Sequence, residues 1–194
     1  MSEHIMRPLP TGRVVDKIFA VNNDFVNWFL VEGDSGFVAI DGGANNDKSL
    51  SELSALGIQL SNIKNIVITH DHPDHIGILE LLKDIPVYGM SEKYATTVVK
   101  DGQELSIDGV MIKVYSTMGH KADHVCLVLN NRYLLTGDCL SLCGSKVGLF
   151  VSAYNLSNDV QANDIKKISQ IKDIEKVITS HFGMTDKPDW SDFV

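Results

Sequence analysis

Four short apolar stretches of the chain each run through serine or threonine into a histidine or an aspartate. Residues 66–69 precede His70, residues 114–117 precede His120, residues 133–136 precede Asp138, and residues 177–180 precede His181. Short apolar runs bounded in this way are typical of buried strands. If the strands share one orientation, their ends meet at one edge, which is where layered α/β folds form ligand sites. The pattern therefore predicts an α/β fold with its functional side chains gathered at one edge.

The densest part of this pattern is the run from His70 to His75, which reads His-Asp-His-Pro-Asp-His. The chain has seven histidines, and three of them lie in this run. Neutral imidazole and ionised carboxylate are ligands that divalent zinc, iron and manganese accept readily. The alternative is a solvated polar turn in which Asp74 caps the next helix. That alternative leaves the later strand-end histidines and aspartate unexplained, so we favour a metal site.

The spacing of these residues predicts more than one metal ion. His70 and His72 lie two residues apart and can point into one site, whereas Asp74 and His75 follow in the next turn and can face a second position. Metal pairs in hydrolases lie about 3.5–4 Å apart. The residues that complete two ligand sets are His120, Asp138 and His181. Two such cations lower the pKa of a shared water and polarise a carbonyl or phosphoryl oxygen. The sequence therefore predicts hydrolysis with an activated hydroxide as the nucleophile.

Two further polar residues are candidates for orienting a metal ligand. Asp41 follows the predicted strand at residues 37–40, and we favour a role as acceptor for a ligand histidine over that of a simple turn former. For His124, the sequence favours neither of two interpretations: a residue that orients a metal ligand, or an exposed surface residue. For the segment after Asp138, with its residues Lys146, Phe150 and Tyr154, an ordinary surface loop is preferred over a loop that runs across the site.

Hydrophobic periodicity predicts the elements that carry these residues. Strands are expected from residue 14 onward and at residues 26–31, 37–40, 66–69, 87–88, 104–107, 110–115, 125–129, 133–136 and 176–179. Helices are expected at residues 48–56, 76–83 and 92–99, and from Ser157 to about residue 171. No linker or change of composition divides the chain, so we expect residues 1–194 to form a single domain.

Composition restricts the classes of partner. The net charge is −8, whereas proteins that bind nucleic acids or anionic membranes usually carry a basic patch. We therefore expect a small-molecule substrate, no nucleic acid and no membrane, and we leave open a homo-oligomer. Residues 1–13 contain no apolar core of signal-peptide length. The three cysteines, Cys126, Cys139 and Cys143, are too few for a disulfide framework, so we expect a cytoplasmic protein.

The ordered set of motifs resembles the signature of the metallo-β-lactamase superfamily. That signature is His-x-His-x-Asp-His, then a Gly-His loop, an Asp after Gly, and a last His after a strand. The sequence supplies it as residues 70–75, Gly119-His120, Gly137-Asp138 and Ser180-His181, and residues 40–43 resemble the family's early strand-to-turn segment. The resemblance covers nearly the whole chain. It implies a four-layered αββα sandwich with the metals at one edge.

The resemblance also implies an assignment of the metal ligands. It places His70, His72 and His120 on one ion and Asp74, His75 and His181 on the other, with Asp138 bridging. The implied cofactor is a pair of divalent metal ions, with zinc preferred and iron or manganese as alternatives. Asp74 is the candidate catalytic residue, because it, or the hydroxide network it orients, can pass a proton to the leaving group.

One loop departs from the family pattern. After the Gly-His motif the family usually reads Thr-Pro-Gly and then Ser or His, whereas this chain reads Lys121-Ala122-Asp123-His124. That loop lies beside the metals in relatives, so we expect an unusual substrate-facing surface. Thirteen residues follow His181, so we expect no C-terminal helical region of the kind with which hydroxyacylglutathione hydrolases grip glutathione.

Three functions compete on these residues. The preferred one is a dinuclear zinc hydrolase of an ester, thioester, lactone or amide, for which hydroxyacylglutathione hydrolase is the nearest named resemblance. The alternative is a mononuclear iron persulfide dioxygenase on the same fold, with His70, His120 and Asp138 as a facial triad. The third is a non-enzymatic protein in which the metal only stabilises the fold. It is disfavoured because structural zinc sites usually close with four protein ligands, often thiolates, and none of the seven candidate ligands is a cysteine.

Overall fold

The first half of the chain builds one mixed sheet of seven strands in a computed structural model that describes residues 5–194. The strands are β1 Gly12–Val15, β2 Ile18–Asn23, β3 Val26–Glu32, β4 Phe37–Ile40, β5 Ile63–Val67, β6 Val87–Gly89 and β7 Thr97–Val98. They lie side by side in chain order; β1 to β4 are antiparallel and β4 to β7 are parallel. His4, to which we assign no function from sequence, lies outside the described residues.

The second half of the chain builds a six-stranded sheet and a separate hairpin. The strands are β8 Glu104–Ile107, β9 Val110–Ser116, β10 Val125–Leu129, β11 Tyr133–Leu135, β12 Leu140–Cys143, β13 Lys146–Leu149, β14 Lys176–Ile178 and β15 Met184–Thr185. The sheet order is β15-β14-β11-β10-β9-β8, and β12 pairs with β13 alone. Asn130 and Asn131 both have positive φ in the tight turn between β10 and β11, a conformation that asparagine tolerates.

In the described part of the chain, three α-helices connect the strands. They are α1 Asn46–Ala55, α2 Pro73–Ile76 and α3 Asn158–Ser169, and short 3₁₀ turns occupy Leu60–Asn62, Gly77–Glu80 and Ser152–Tyr154. The side chain of Ser157 accepts a hydrogen bond from the Val160 amide at the start of α3, which confirms the predicted cap. Within residues 5–194, no helix has both the length and the apolar character needed to cross a membrane.

The core consists of three buried clusters, which define four layers. The middle cluster joins side chains of both sheets, such as Phe29 of β3 and Leu127 of β10. On the outer face of the first sheet, Leu53 of α1 packs with Trp28. On the outer face of the second sheet, Ile165 of α3 packs with residues of β10 and β11. The order is therefore helix, sheet, sheet, helix, which confirms the predicted αββα sandwich.

The predicted convergence of strand ends is also confirmed. In the first sheet β4 and β5 are parallel, and in the second sheet β9, β11 and β14 run in one direction, because β10 is antiparallel to β9 and β11 and because β11 is parallel to β14. The Val125 amide donates to the Thr69 carbonyl at 2.8 Å and joins the two sheets at this edge. The residues that follow these strands are thereby brought to one place.

Two of the predicted helices are wrong. The segment at 76–83 is a single turn of α2 followed by a 3₁₀ turn, because the Gly77 and Ile78 amides donate to Gly43 and Gly42 rather than to the preceding helical turn. The segment at 92–99 contains β7 instead, since the Thr96 and Val99 amides donate to the carbonyls of Val87 and Gly89. In both cases a neighbouring strand or its loop offers acceptors that local periodicity does not reveal.

The segment after Asp138 is not the ordinary surface loop that we predict from sequence. It forms the β12–β13 hairpin, and Val147 and Phe150 are buried against α3. Lys146 and Tyr154 are exposed, in agreement with the prediction. Alternating patterns are short in this hairpin, so periodicity alone did not identify it.

Candidate metal centre

The strand ends bring all seven predicted metal ligands together in two adjoining groups. One group is His70, His72, His120 and Asp138, and the other is Asp74, His75 and His181. Within each group, the candidate ligand atoms all lie within 4.8 Å of one another. Two sites beside each other are therefore available for cations.

Three imidazole nitrogens converge in the first group. His72 Nδ1 lies 3.0 Å from His70 Nε2 and 3.1 Å from His120 Nε2. Asp138 Oδ2 lies 3.5 Å from His120 Nε2 and 3.8 Å from His70 Nε2. Three nitrogens and one carboxylate oxygen at such separations form a donor set of the kind that zinc or iron accepts.

Asp138 lies between the two groups. Its Oδ2 atom is 3.5 Å from His75 Nε2, and its Oδ1 atom is 3.3 Å from His181 Nε2. Asp74 approaches the same two imidazoles from the other side, with its Oδ2 atom 3.5 Å from His181 Nε2 and 3.8 Å from His75 Nε2. One carboxylate therefore faces both donor sets, as the bridging assignment requires.

Asp41 holds the edge of the first sheet to this site. Its side chain accepts hydrogen bonds from the Thr69 amide at 2.7 Å and from Thr69 Oγ1 at 2.9 Å, and it lies 2.9 Å from His75 Nδ1. Thr69 Oγ1 in turn lies 3.1 Å from His70 Nδ1. One buried carboxylate therefore orients an imidazole in each donor set, so that their Nε2 atoms point toward Asp138.

His120 and His181 also direct Nε2 toward Asp138, and partners other than Asp41 hold their Nδ1 atoms. His120 Nδ1 lies 3.0 Å from Asn155 Oδ1. His181 Nδ1 lies 2.7 Å from the backbone carbonyl of Phe25, in the turn between β2 and β3. A hydrogen bond at Nδ1 sets the tautomer and the orientation of the imidazole ring, so that Nε2 is free to bind a cation. Metal-binding histidines usually have such a partner.

Unpartnered buried atoms indicate that a cation fits this site. Within residues 5–194, His75 Nε2, His181 Nε2 and Asp138 Oδ1 are buried and make no hydrogen bond. A buried polar atom without a partner costs about 1–3 kcal/mol. All three atoms point to the same space, where a divalent cation would give each of them a partner.

Burial and charge give the side chains of this site different protonation preferences. Burial lowers the pKa of His70 well below its ordinary value and also lowers the pKa of His120. Burial opposes the charge on Asp138, but His181 and His75 hold the pKa of Asp138 well below its usual range. At His75 and His181 burial also disfavours the charge, but the Asp138 carboxylate raises the pKa of His75 well above its ordinary value and raises the pKa of His181. His70, His120 and Asp138 therefore favour the neutral imidazole and ionised carboxylate forms that bind metal, whereas His75 and His181 would release protons on binding it.

His124 is an internal residue rather than the exposed one that was weighed equally from sequence. It is buried; its Nε2 accepts a hydrogen bond from the Asp138 amide at 3.1 Å, and its Nδ1 lies 2.8 Å from Thr117 Oγ1. His124 therefore does not point at the cation space. It fixes the backbone from which the Asp138 carboxylate projects.

The altered loop after His120 is joined to the first motif by charge. Lys121 forms an ion pair with Asp71, and its Nζ lies 3.6 Å from Asp123 Oδ1. Asp123 also accepts a hydrogen bond from the Asp71 amide at 3.0 Å, and Ser91 Oγ donates to Asp71 at 2.9 Å. The unusual residues of this loop therefore brace the His70–His75 run.

A cleft of about 480 Å³ opens onto both donor sets. His72, Asp74, His120, Asp138 and His181 form its polar floor. Its remaining lining is Met6, Phe25, Ala44, Pro73, Phe150 and Tyr154. The volume is in the range of about 300–1,000 Å³ that is usual for small-molecule sites.

Sequence reasoning missed several residues of the site. Thr69 could have been found, because it directly precedes His70 at a strand end. Phe150 and Tyr154 line the cleft, although the sequence favoured an ordinary surface loop for both. Phe25 and Asn155 reach the site from turns far from the motif in sequence, and no local pattern marks them.

Comparisons with known proteins agree with this arrangement. The sequence model of the metallo-beta-lactamase superfamily matches residues 21–90. A beta-lactamase-like protein 2 homolog from Caenorhabditis elegans is 31% identical over 178 residues, which cover 83% of this chain and 57% of the relative. The chain resembles the metallo-β-lactamase superfamily in sequence and in fold. A hydroxyacylglutathione hydrolase from Klebsiella pneumoniae subsp. pneumoniae is another relative, 33% identical over 120 residues that cover 58% of this chain and 46% of the relative.

The superfamily fold is shared with solved structures at lower identity. A metallo-beta-lactamase from Pontibacter korlensis superposes with a TM-score of 0.74 at 21% identity and covers 92% of this chain and 93% of that one. BJP-1, a subclass B3 metallo-beta-lactamase of Bradyrhizobium japonicum, gives a TM-score of 0.71 at 16% identity and covers 92% and 80%. The chain spans about half the length of the curated relatives that it matches.

Proposed function

We propose that this protein is a member of the metallo-β-lactamase superfamily and a metal-dependent hydrolase that holds two divalent cations, zinc by preference, and cleaves an ester, thioester, lactone or amide. The observation that carries the proposal is the position of Asp138, whose two oxygens face donor sets on both sides. A mononuclear site needs only one of these sets. Names of relatives add support, since hydroxyacylglutathione hydrolases are among them.

The chemistry follows from the donor sets and the cleft. Divalent cations at such sites activate water at neutral pH and polarise a carbonyl oxygen. The five histidines, Asp74 and Asp138 would hold the cations, and Asp41 and Asn155 keep the imidazoles aligned. Hydrolysis adds water across the carbonyl–heteroatom bond, so a proton must reach the leaving heteroatom. Asp74 lies on the cleft floor with 21% of its side chain exposed, which suits that transfer.

Metal content and activity together test the proposal. Protein purified without added metal should contain about two zinc ions per chain. We expect it to hydrolyse at least one member of a panel of thioesters, lactones and p-nitrophenyl esters, to lose that activity with a chelator and to regain it with zinc. One iron per chain, with oxygen uptake on a persulfide substrate and no hydrolysis, would instead establish the dioxygenase. A phosphodiester in the same panel tests whether the site acts on a phosphoryl oxygen instead of a carbonyl oxygen.

Replacing Asp74 by Asn tests the proton-transfer role. The amide keeps the shape of the side chain but cannot exchange a proton at neutral pH, so we expect kcat to fall by about 100-fold or more. The other two members of its donor set, His75 and His181, still face Asp138, so the variant should stay folded and retain zinc. Unchanged kcat in a folded, zinc-loaded Asp74→Asn protein would show that another group delivers the proton.

Cytoplasmic residence and a small-molecule substrate are parts of the same proposal. All three cysteines are free, and Cys126 and Cys139 are buried. Free thiols agree with a reducing compartment. The size of the cleft agrees with a small molecule.

A further inference from the structure

Aromatic and aliphatic side chains surround the polar floor of the cleft. Phe150 lies between two candidate ligands, with its ring centroid 4.9 Å from that of His120 and 5.5 Å from that of His181. Phe25 stacks on His181 at 6.0 Å, with an angle of 8° between the ring planes. A molecule that reaches the donor sets must therefore pass along apolar surfaces.

Two of the aromatic rings that line the cleft are exposed to solvent, where a ligand in the cleft could cover them. Phe25 is 49% exposed and Tyr154 is 60% exposed, and both line the cleft. Single exposed apolar residues are common on proteins, but apolar residues grouped at a concave polar site mark a ligand surface. Covering these two rings would remove apolar area from water and thereby favour binding of an apolar group.

The charges around the cleft also favour an apolar, uncharged ligand group. Among residues 5–194, the side chains that line the cleft include no lysine and no arginine. Lys121, in the loop after His120, is already paired with Asp71 and Asp123. Cations on the floor would be neutralised in part by Asp74 and Asp138. Among the described residues, the outer walls offer an anion the hydroxyl of Tyr154 but no cationic side chain. An anionic substrate group would thus lose hydration without gaining a cationic partner.

We propose that the cleft selects substrates whose non-reacting group is uncharged and apolar, such as an aliphatic or aryl chain, and rejects those with an anionic group there. Phe25 and Tyr154, both on the lining of the cleft, are the specificity-determining residues. This inference rests on the proposed hydrolase function. It narrows that function to neutral apolar esters, thioesters or lactones.

Matched substrates test the selection on each side of the bond that is cleaved. The first pair is the hexanoyl and the adipoyl thioester of N-acetylcysteamine, which differ by a terminal carboxylate. The second pair is the hexanoyl thioester of N-acetylcysteamine and that of glutathione. In at least one pair, kcat/KM for the uncharged member should be higher by about tenfold or more. Equal values in both pairs would overturn the inference.

A binding measurement separates this inference from the hydrolase proposal. Hexanohydroxamic acid and adipic acid monohydroxamic acid share one metal-binding group and differ only at the far end. Calorimetry with zinc-loaded protein should show about tenfold tighter binding of the uncharged compound. That preference without hydrolysis of any substrate would overturn only the hydrolase proposal. Equal affinities would overturn only the inference, and failure of both compounds to bind would overturn both.

Variants of the two aromatic residues complete the test. Phe25→Ala removes the ring but keeps the backbone carbonyl that holds His181, so zinc content should not change. In Phe25→Ala and Tyr154→Ala, KM for the uncharged substrate should rise by about fivefold to tenfold, and the affinity for hexanohydroxamic acid should fall by a similar factor. Met111→Ala, at an equally exposed position on β9 far from the cleft, should leave KM within about twofold. Unchanged KM and affinity in both aromatic variants would contradict the assignment.

Discussion

Replacing Asp138 by Asn should lower the hydrolysis of every accepted substrate by about 1000-fold, since a bridging carboxylate supports several kcal/mol of metal catalysis. The carboxylate approaches imidazoles of both donor sets, at 3.3 Å from His181 and 3.5 Å from His75 and His120. The amide has no negative charge and would direct a donor toward these nitrogens. We therefore expect less than one zinc per chain in the variant, measured together with kcat/KM.

The fold should survive this change. The Asp138 backbone amide still donates to His124 in the variant, so the circular dichroism spectrum should match that of the wild type. Asp108→Asn is the matched control: Asp108 accepts hydrogen bonds from Ser35 in a turn of the second sheet far from the cleft, and an amide oxygen can still accept them. Full zinc content with less than a tenfold fall in kcat/KM for Asp138→Asn would show that Asp138 does not bridge.

Replacing Asp41 by Ala should lower the free energy of unfolding by about 3–5 kcal/mol, the cost of removing one partner from a buried charged network. Asp41 is 1% exposed, and its loss leaves the Thr69 amide, the Thr69 hydroxyl and His75 Nδ1 without an acceptor. The loss also frees His75 to rotate, and partners of this kind are worth about 10–100-fold in metal affinity. Urea denaturation of the metal-free protein and zinc competition with a chromophoric chelator measure the two effects.

Two companion variants separate the causes. Asp41 has a φ of +63°, so alanine adds backbone strain to the lost hydrogen bonds. Asp24 has the same φ of +63° but is exposed, so Asp24→Ala measures this strain together with the loss of the attraction between Asp24 and Lys48. Asp41→Asn keeps an acceptor and tolerates this φ, so it should lie between the wild type and Asp41→Ala, and it keeps the test available if the alanine protein does not fold. Equal losses in Asp24→Ala and Asp41→Ala would refute the network role.

The convergence of the candidate metal ligands could be predicted from sequence because their signal is local. His70, His72, Asp74 and His75 lie within one turn of a strand end, and His120, Asp138 and His181 each follow a strand of their own. Parallel strands of a sheet end at the same edge, so a one-dimensional pattern was sufficient to bring the residues together. The αββα layering followed from the family resemblance and is confirmed by the packing.

The cleft walls and the two wrong helices have a different origin. Phe25 and Asn155 approach the site from turns whose position depends on how the sheets pack, which no local spacing encodes. Residues 76–83 have a helical spacing of apolar side chains, yet the loop after β4 takes two of their amides. Phe150 was placed on the surface because the short β12–β13 hairpin that buries it has little periodicity. In each case a tertiary contact outweighs a local preference.

The hydrogen bond between His181 and the turn that joins β2 and β3 has a consequence for how this cleft can change over evolutionary time. The acceptor is the backbone carbonyl of Phe25, a group that every amino acid possesses. A substitution at position 25 can therefore reshape the entrance while the ring of His181 keeps its direction. Substrate specificity can therefore change by substitution at this one position, while the arrangement of the candidate metal ligands stays the same.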